Sequence, residues 1–82
     1  MAEEVTYYAI VDDLSSRERP AGVLRRIRHE QGERDEAFGY DLEWKFSSML
    51  YEYEHGELGT TFIPITEAEA TQIVDRIRQA AE

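Results

Sequence analysis

Residues 36–46 read Glu-Ala-Phe-Gly-Tyr-Asp-Leu-Glu-Trp-Lys-Phe. Phe38, Tyr40, Leu42, Trp44 and Phe46 alternate with Ala37, Gly39, Asp41, Glu43 and Lys45. Successive side chains of a β-strand point to opposite faces, so a period of two gathers the bulky set on one face and the mostly polar set on the other. The pattern predicts one strand over 36–46 whose bulky face forms the centre of the core. An apolar sheet face needs a cover, and the C-terminal residues supply one. Thr66-Glu67-Ala68-Glu69 is a capping box, in which the Thr66 hydroxyl accepts from the Glu69 amide and Glu69 reaches back to Thr66. Ala70, Ile73, Val74, Ile77 and Ala81 follow at helical spacing. Glu67 and Glu69 stand at the positive end of the helix dipole, Arg76 and Arg78 toward the negative end.

Working outward, residues 4–12 are dense in β-branched and aromatic side chains. Val5, Tyr7, Ala9 and Val11 fall on one side and Tyr8 and Ile10 on the other, which suits an interior strand covered on both faces. Residues 12–22 hold two serines, Pro20 and Gly22 and read as a loop. Residues 23–30 fit strand alternation through Val23, Arg25, Ile27 and His29, and helical spacing through Val23, Leu24 and Ile27. Gly22 before them, and a turn-like stretch over 31–35 after them, select the strand. Arg26 or Arg28 is then expected opposite Asp41 or Glu43 as a cross-strand pair. Ser47 or Ser48 can cap a short helix over 49–54, ended by His55-Gly56. Residues 60–65 add an edge strand, because Pro64 cannot donate to a central ladder. The expectation is one α+β domain over residues 1–82. It has a small antiparallel sheet of three to four strands, one short helix, and a C-terminal amphipathic helix packed on one face.

Composition sets the outer bounds. Of the 82 residues 41% are apolar and 33% charged, enough apolar surface for one core. Cysteine is absent, which excludes disulfides and thiolate metal sites and suits a reducing compartment. The first residues carry Glu3 and Glu4 and no apolar run, unlike a signal peptide. The longest apolar stretch, residues 7–11, is far short of a membrane span. The expected setting is cytoplasmic. The net charge of −9 is uneven: −4 over residues 1–16, +3 over 17–34 and −8 over 35–82. Overall acidity argues against nucleic acid and anionic membranes as partners.

Six elements of the sequence resemble a group of short, uncharacterised proteins common in actinobacteria. They are Tyr7-Tyr8-Ala9-Ile10, Arg19-Pro20-Ala21-Gly22-Val23-Leu24-Arg25-Arg26, Glu36-Ala37-Phe38, Trp44, Gly56-Glu57-Leu58 and Ile65-Thr66-Glu67-Ala68-Glu69-Ala70. The resemblance implies a bacterial cytoplasmic setting. It brings no activity and no functional residue.

Catalytic equipment is sparse. His29 and His55 are the only histidines, and each reads first as a solvated strand or turn residue. His29-Glu30 lacks the second histidine of a zinc helix motif, and His55 with Glu54 and Glu57 lies on a glycine turn where the three cannot converge on one ion. Ser15, Ser16, Ser47 and Ser48 have no nucleophile-elbow context, and the scattered glycines form no phosphate loop. No catalytic residue, metal site or cofactor is assigned.

Two features invite a partner. The six arginines between Arg17 and Arg34 read first as an edge strand that pairs with acids and blocks edge-to-edge aggregation. Their second reading is a docking surface through Arg25, Arg26 and Arg28 for an acidic or phosphate group. The aromatics, Tyr8 and Tyr40 among them, exceed what a small core needs if one sheet face is left bare. The leading expectation is therefore a non-enzymatic protein-interaction module that binds another protein or itself as a homodimer. A phosphate- or nucleic-acid-binding arginine strand is the alternative, and a small enzyme with a histidine acid–base is the third reading.

Overall fold

The computed structural model describes residues 3–39, 41–48, 50, 54 and 60–81. They form an α+β unit with a five-stranded antiparallel sheet and one C-terminal helix. The strands are β1 (Glu4–Val11), β2 (Gly22–His29), β3 (Gly32–Phe38), β4 (Trp44–Phe46) and β5 (Thr61–Ile65), followed by helix α1 (Glu67–Ala81). The sheet order is β4-β3-β2-β1-β5.

Five strands replace the expected three to four because the stretch 36–46 is not one strand. The chain reverses after Phe38, where the Leu42 N–H donates to the Gly39 carbonyl at 3.0 Å and Leu42 takes φ 62. Gly39 and Asp41 are turn-forming residues set inside the alternating pattern. Phe38 and Trp44 stand an even number of positions apart, so the two still meet, now as cross-strand partners with ring centroids 5.5 Å apart. Leu42 and Phe46, expected in the core, are exposed. Tyr40 lies outside the described residues. The turn between β2 and β3 is also tighter than expected. It uses Glu30 and Gln31, and β3 already starts at Gly32, whose φ of 140 only glycine adopts without strain.

Cross-strand register builds two apolar layers, one on each face. Ala9, Val23 and Phe38 lie side by side on β1, β2 and β3, with Trp44 and Ile63 extending the row on β4 and β5. Ala70, Ile73, Val74 and Ile77 of α1 close over this face. Burying Ile73, Val74 and Ile77 stabilises by roughly 1.5–3 kcal/mol each before entropy is counted. Ala81, expected in the same stripe, is exposed at the helix end. The opposite face carries Ile10, Leu24 and Phe62, joined by Leu50 and flanked by Tyr8 and Ala37. The first strand is thus covered on both faces over its second half, while Val5 near its start is exposed. Leu50 and Glu54, both helical, are the described residues of the short helix expected over 49–54; the rest of it and its His55-Gly56 end lie outside the described residues.

Gly22 marks a close approach of two strands, because a Cβ there would run into the backbone oxygen of Phe38. Pro64 sits on β5, an edge of the sheet, as its missing donor requires. The capping box forms as read: Thr66 N–H donates to Glu69 Oε1 at 3.0 Å, and Glu69 N–H donates to Thr66 Oγ1 at 3.1 Å.

The Thr66 bonds hold the Glu69 carboxyl below its ordinary value of 4.5, the backbone donor contributing most. A depressed folded-state value stabilises above the unfolded value and is lost as pH falls through the folded one. Thr66→Ala is expected to cost about 1 kcal/mol near neutral pH in urea titrations. The Glu69→Gln variant should fall below the wild type at neutral pH and converge with it as the solution is acidified below the ordinary glutamate range.

Candidate functional site

Arginine and carboxylate residues face each other along β2 and β3. Register places Arg25 opposite Glu36, Arg26 opposite Asp35 and Arg28 opposite Glu33. Each pair closes. Arg25 Nε and Nη2 donate to Glu36 Oε1 at 2.8 and 2.6 Å. Arg26 Nε and Nη2 donate to Asp35 Oδ1 and Oδ2 at 2.8 and 2.9 Å, the parallel fork that guanidinium and carboxylate planes favour. Arg28 Nε donates to Glu33 Oε2 at 2.9 Å. Asp41 and Glu43, the expected acids, pair instead with Lys45 at 3.1 and 3.7 Å. The break after Phe38 moves them off the strand that neighbours β2.

Successive residues of a strand alternate, so the ladder is split between faces. Arg25 lies on the α1 face. There its guanidinium also stacks on the Trp44 ring, 4.0 Å from the centroid. Glu36, buried to 7% exposure, takes Arg25 on one oxygen and Arg34 on the other, the latter at 2.9 Å. Arg26 lies on the opposite face and reaches Glu54 at 3.3 Å as well as Asp35. The Asp35 hydrogen bond, opposed by partial burial, is the main cause that holds the Arg26 guanidinium above its ordinary value. No buried side-chain nitrogen or oxygen among the described residues lacks a partner.

The sequence-predicted site residues therefore do not form one surface. Arg25 is on one face; Arg26, Arg28 and Tyr8 are on the other, with Tyr8 packed against the second apolar layer. Tyr40 is outside the described residues. β2 is also not the expected edge strand. It is the central strand, paired with β1 and β3, and its arginines serve the sheet's interior ladder. The face expected to be bare carries a buried layer. His29 is exposed, its Nδ1 accepting from the Gln31 N–H at 3.2 Å within the hairpin turn. His55 is outside the described residues. No group of three or more potential metal ligands occurs among the described residues. No described helix is long and apolar enough to cross a membrane.

Exposed apolar surface lies elsewhere. Phe46 on the edge strand β4 is 74% exposed, and Leu14 at the tip of the 12–21 loop is 97% exposed. Phe46 was read as core because its alternation ran through the hidden turn. Leu14 was missed by sequence reasoning; its one signal is an apolar side chain among Asp, Ser and Arg. No protein family, curated protein or solved structure matches the chain.

Truncating Asp35 leaves Arg26 half-buried with only longer contacts, whereas Glu33 is more exposed and its partner Arg28 is solvated. Asp35→Ala is expected to cost roughly 2–3 kcal/mol in urea unfolding, and Glu33→Ala under about 1 kcal/mol. Equal losses would show that the ladder is a solvated surface feature.

Proposed function

We propose that this chain is a non-enzymatic protein-interaction module of a bacterial cytoplasm, and that it pairs with a second copy of itself along the β4 edge. The observation that carries the reading is Phe46, a large aromatic left 74% exposed on an open sheet edge. Backbone alternation supports it. The Ser47 N–H donates to the Asp35 carbonyl at 3.1 Å, so Ser47 and Lys45 turn their backbone groups toward β3. Trp44 and Phe46 turn theirs outward. Antiparallel pairing of two copies about Lys45 sets Trp44 of one copy across from Phe46 of the other, an aromatic cross-strand pair repeated by the two-fold axis. The two lysines then meet at the axis, where edge lysines ordinarily oppose pairing. Asp41 and Glu43 offset that repulsion within each copy, at 3.1 and 3.7 Å from the ammonium. The Asp41 hydrogen bond holds Lys45 above its ordinary value and Asp41 below its own.

The two other readings have less support. A phosphate- or nucleic-acid-binding arginine strand needs free guanidinium groups, and Arg25, Arg26 and Arg28 each have a carboxylate partner. An enzyme needs a base held beside an orienting group, and among the described residues His29 meets only its own turn.

Multi-angle light scattering at high protein concentration tests the self-association. The wild type is expected to run at the mass of a dimer and Phe46→Ser at that of a monomer with an unchanged circular-dichroism spectrum. A wild type that stays monomeric removes the pairing. A dimer that survives Phe46→Ser places the interface away from β4.

A further inference from the structure

We propose that the groove between the 12–21 loop and the C-terminal half of α1 docks a segment of a partner protein in which an apolar side chain is flanked by carboxylates. The groove has a volume of about 290 Å³ and lies apart from the β4 edge. Its apolar floor is formed by Pro20, Ile73, Ile77 and Ala80, and Leu14 also lines it. Its two charged lining residues are both arginines, Arg19 and Arg76.

The loop holds Leu14 out rather than letting it fold back. Asp12 Oδ1 accepts from the Leu14 N–H at 3.0 Å and from the Ser15 hydroxyl at 2.9 Å. The Asp12 N–H donates to Ser15 Oγ at 2.8 Å. Further along, Ser16 and Arg19 exchange backbone hydrogen bonds at 3.1 and 3.2 Å. The loop is pinned to α1 where Arg76 Nη1 donates to the Glu18 carbonyl at 2.8 Å. A leucine held 97% exposed by this many local bonds is preorganised to bury its side chain elsewhere. It stands beside a floor that shares its chemistry.

The charge inventory selects the occupant. Among the described cations, Arg25, Arg26, Arg28, Arg34 and Lys45 each have a carboxylate partner. Arg78 stacks on Phe38, 5.3 Å from the ring centroid, and the charge of Arg17 acts on Glu69. Arg19 and Arg76 have no carboxylate partner among the described residues, although the chain carries 18 acids. The acids beside them in sequence, Glu18 and Asp75, do not line the groove. Two guanidinium groups without a carboxylate partner among the described residues, around an apolar floor, complement a segment that offers carboxylates around an apolar anchor. A nucleic acid would gain nothing from that floor. Because the chain's net charge of −9 repels an acidic partner at long range, the apolar anchor is indispensable to binding.

The test is selection from a random-peptide library against the full chain, followed by fluorescence anisotropy of the enriched peptides. The expected consensus is an apolar residue with Asp or Glu on either side. Affinity is expected to fall about tenfold or more in Leu14→Ser and in Arg19→Glu. Among the described residues neither side chain makes a hydrogen bond or ion pair, and circular dichroism should show both variants intact. Phe46→Ser should bind the same peptides unchanged, which separates this groove from the β4 edge. Enriched peptides that lack acidic residues, or that bind both groove variants as tightly as the wild type, overturn the proposal. So does self-association that Leu14→Ser abolishes, because a second copy then occupies the groove.

Discussion

The ion ladder between β2 and β3 is the constraint on which the rest of the structure depends. Arg25, Arg26 and Arg28 meet Glu36, Asp35 and Glu33 in register, while Ile27 stands opposite Arg34. A slip of one residue in one direction sets Arg26 against Arg34, and a slip in the other sets Arg28 against it. Either slip also turns the apolar residues of one strand to the wrong face. The ladder therefore does more than add pairwise energy, which is small for its exposed members. It fixes which face each residue of the central strand presents. Val23 and Leu24, both at 0% exposure, then lie one on each side of the sheet, where α1 covers the first and the layer holding Leu50 and Phe62 covers the second.

The sequence showed the termini of this arrangement better than its middle. β1, the loop after it, β2, the edge strand with Pro64 and the capped C-terminal helix were legible because each carries a local signal. Those signals are two-sided apolar alternation, a Pro-Gly break, and the reciprocal bonds of Thr66 and Glu69. The stretch from Phe38 to Phe46 misled because a hairpin that returns with matching parity keeps its period of two. Phe38 and Trp44 share a face whether the chain runs straight or doubles back. What separates the two cases is Gly39 and Asp41, turn formers inside a run of strand formers. That one break altered the strand count and exposed Phe46. The tighter turn at Glu30 and Gln31 gave the arginines different partners, because Glu33, Asp35 and Glu36 then sit on the strand beside β2.

The candidate site was less legible for a related reason. An arginine-rich segment reads alike whether its charges face water or carboxylates, and only strand order decides between them. With β2 at the centre, the arginines that looked most available are committed to the ladder, and the aromatic Tyr8 to a buried layer. Exposed apolar surface is left at the periphery: Phe46 on an edge strand, and Leu14 beside a groove that Arg19 and Arg76 also line. Neither place is marked by a motif. Each is visible only once the sheet has claimed the residues it needs. A chain of 82 residues has a thin stability margin, so large apolar groups left in water are better explained by contacts than by neglect.

Amide hydrogen exchange followed by NMR tests the central position of β2 most directly. Strand order β4-β3-β2-β1-β5 gives β2 a hydrogen-bonded neighbour on both sides. The slowest-exchanging amides in the protein should therefore cluster between Val23 and Ile27, with their neighbours on β1 and β3 next, and with the edge strands β4 and β5 faster. Exchange at Val23 to Ile27 as rapid as at the edges would contradict the account, because the arginine ladder would then belong to a strand open to solvent.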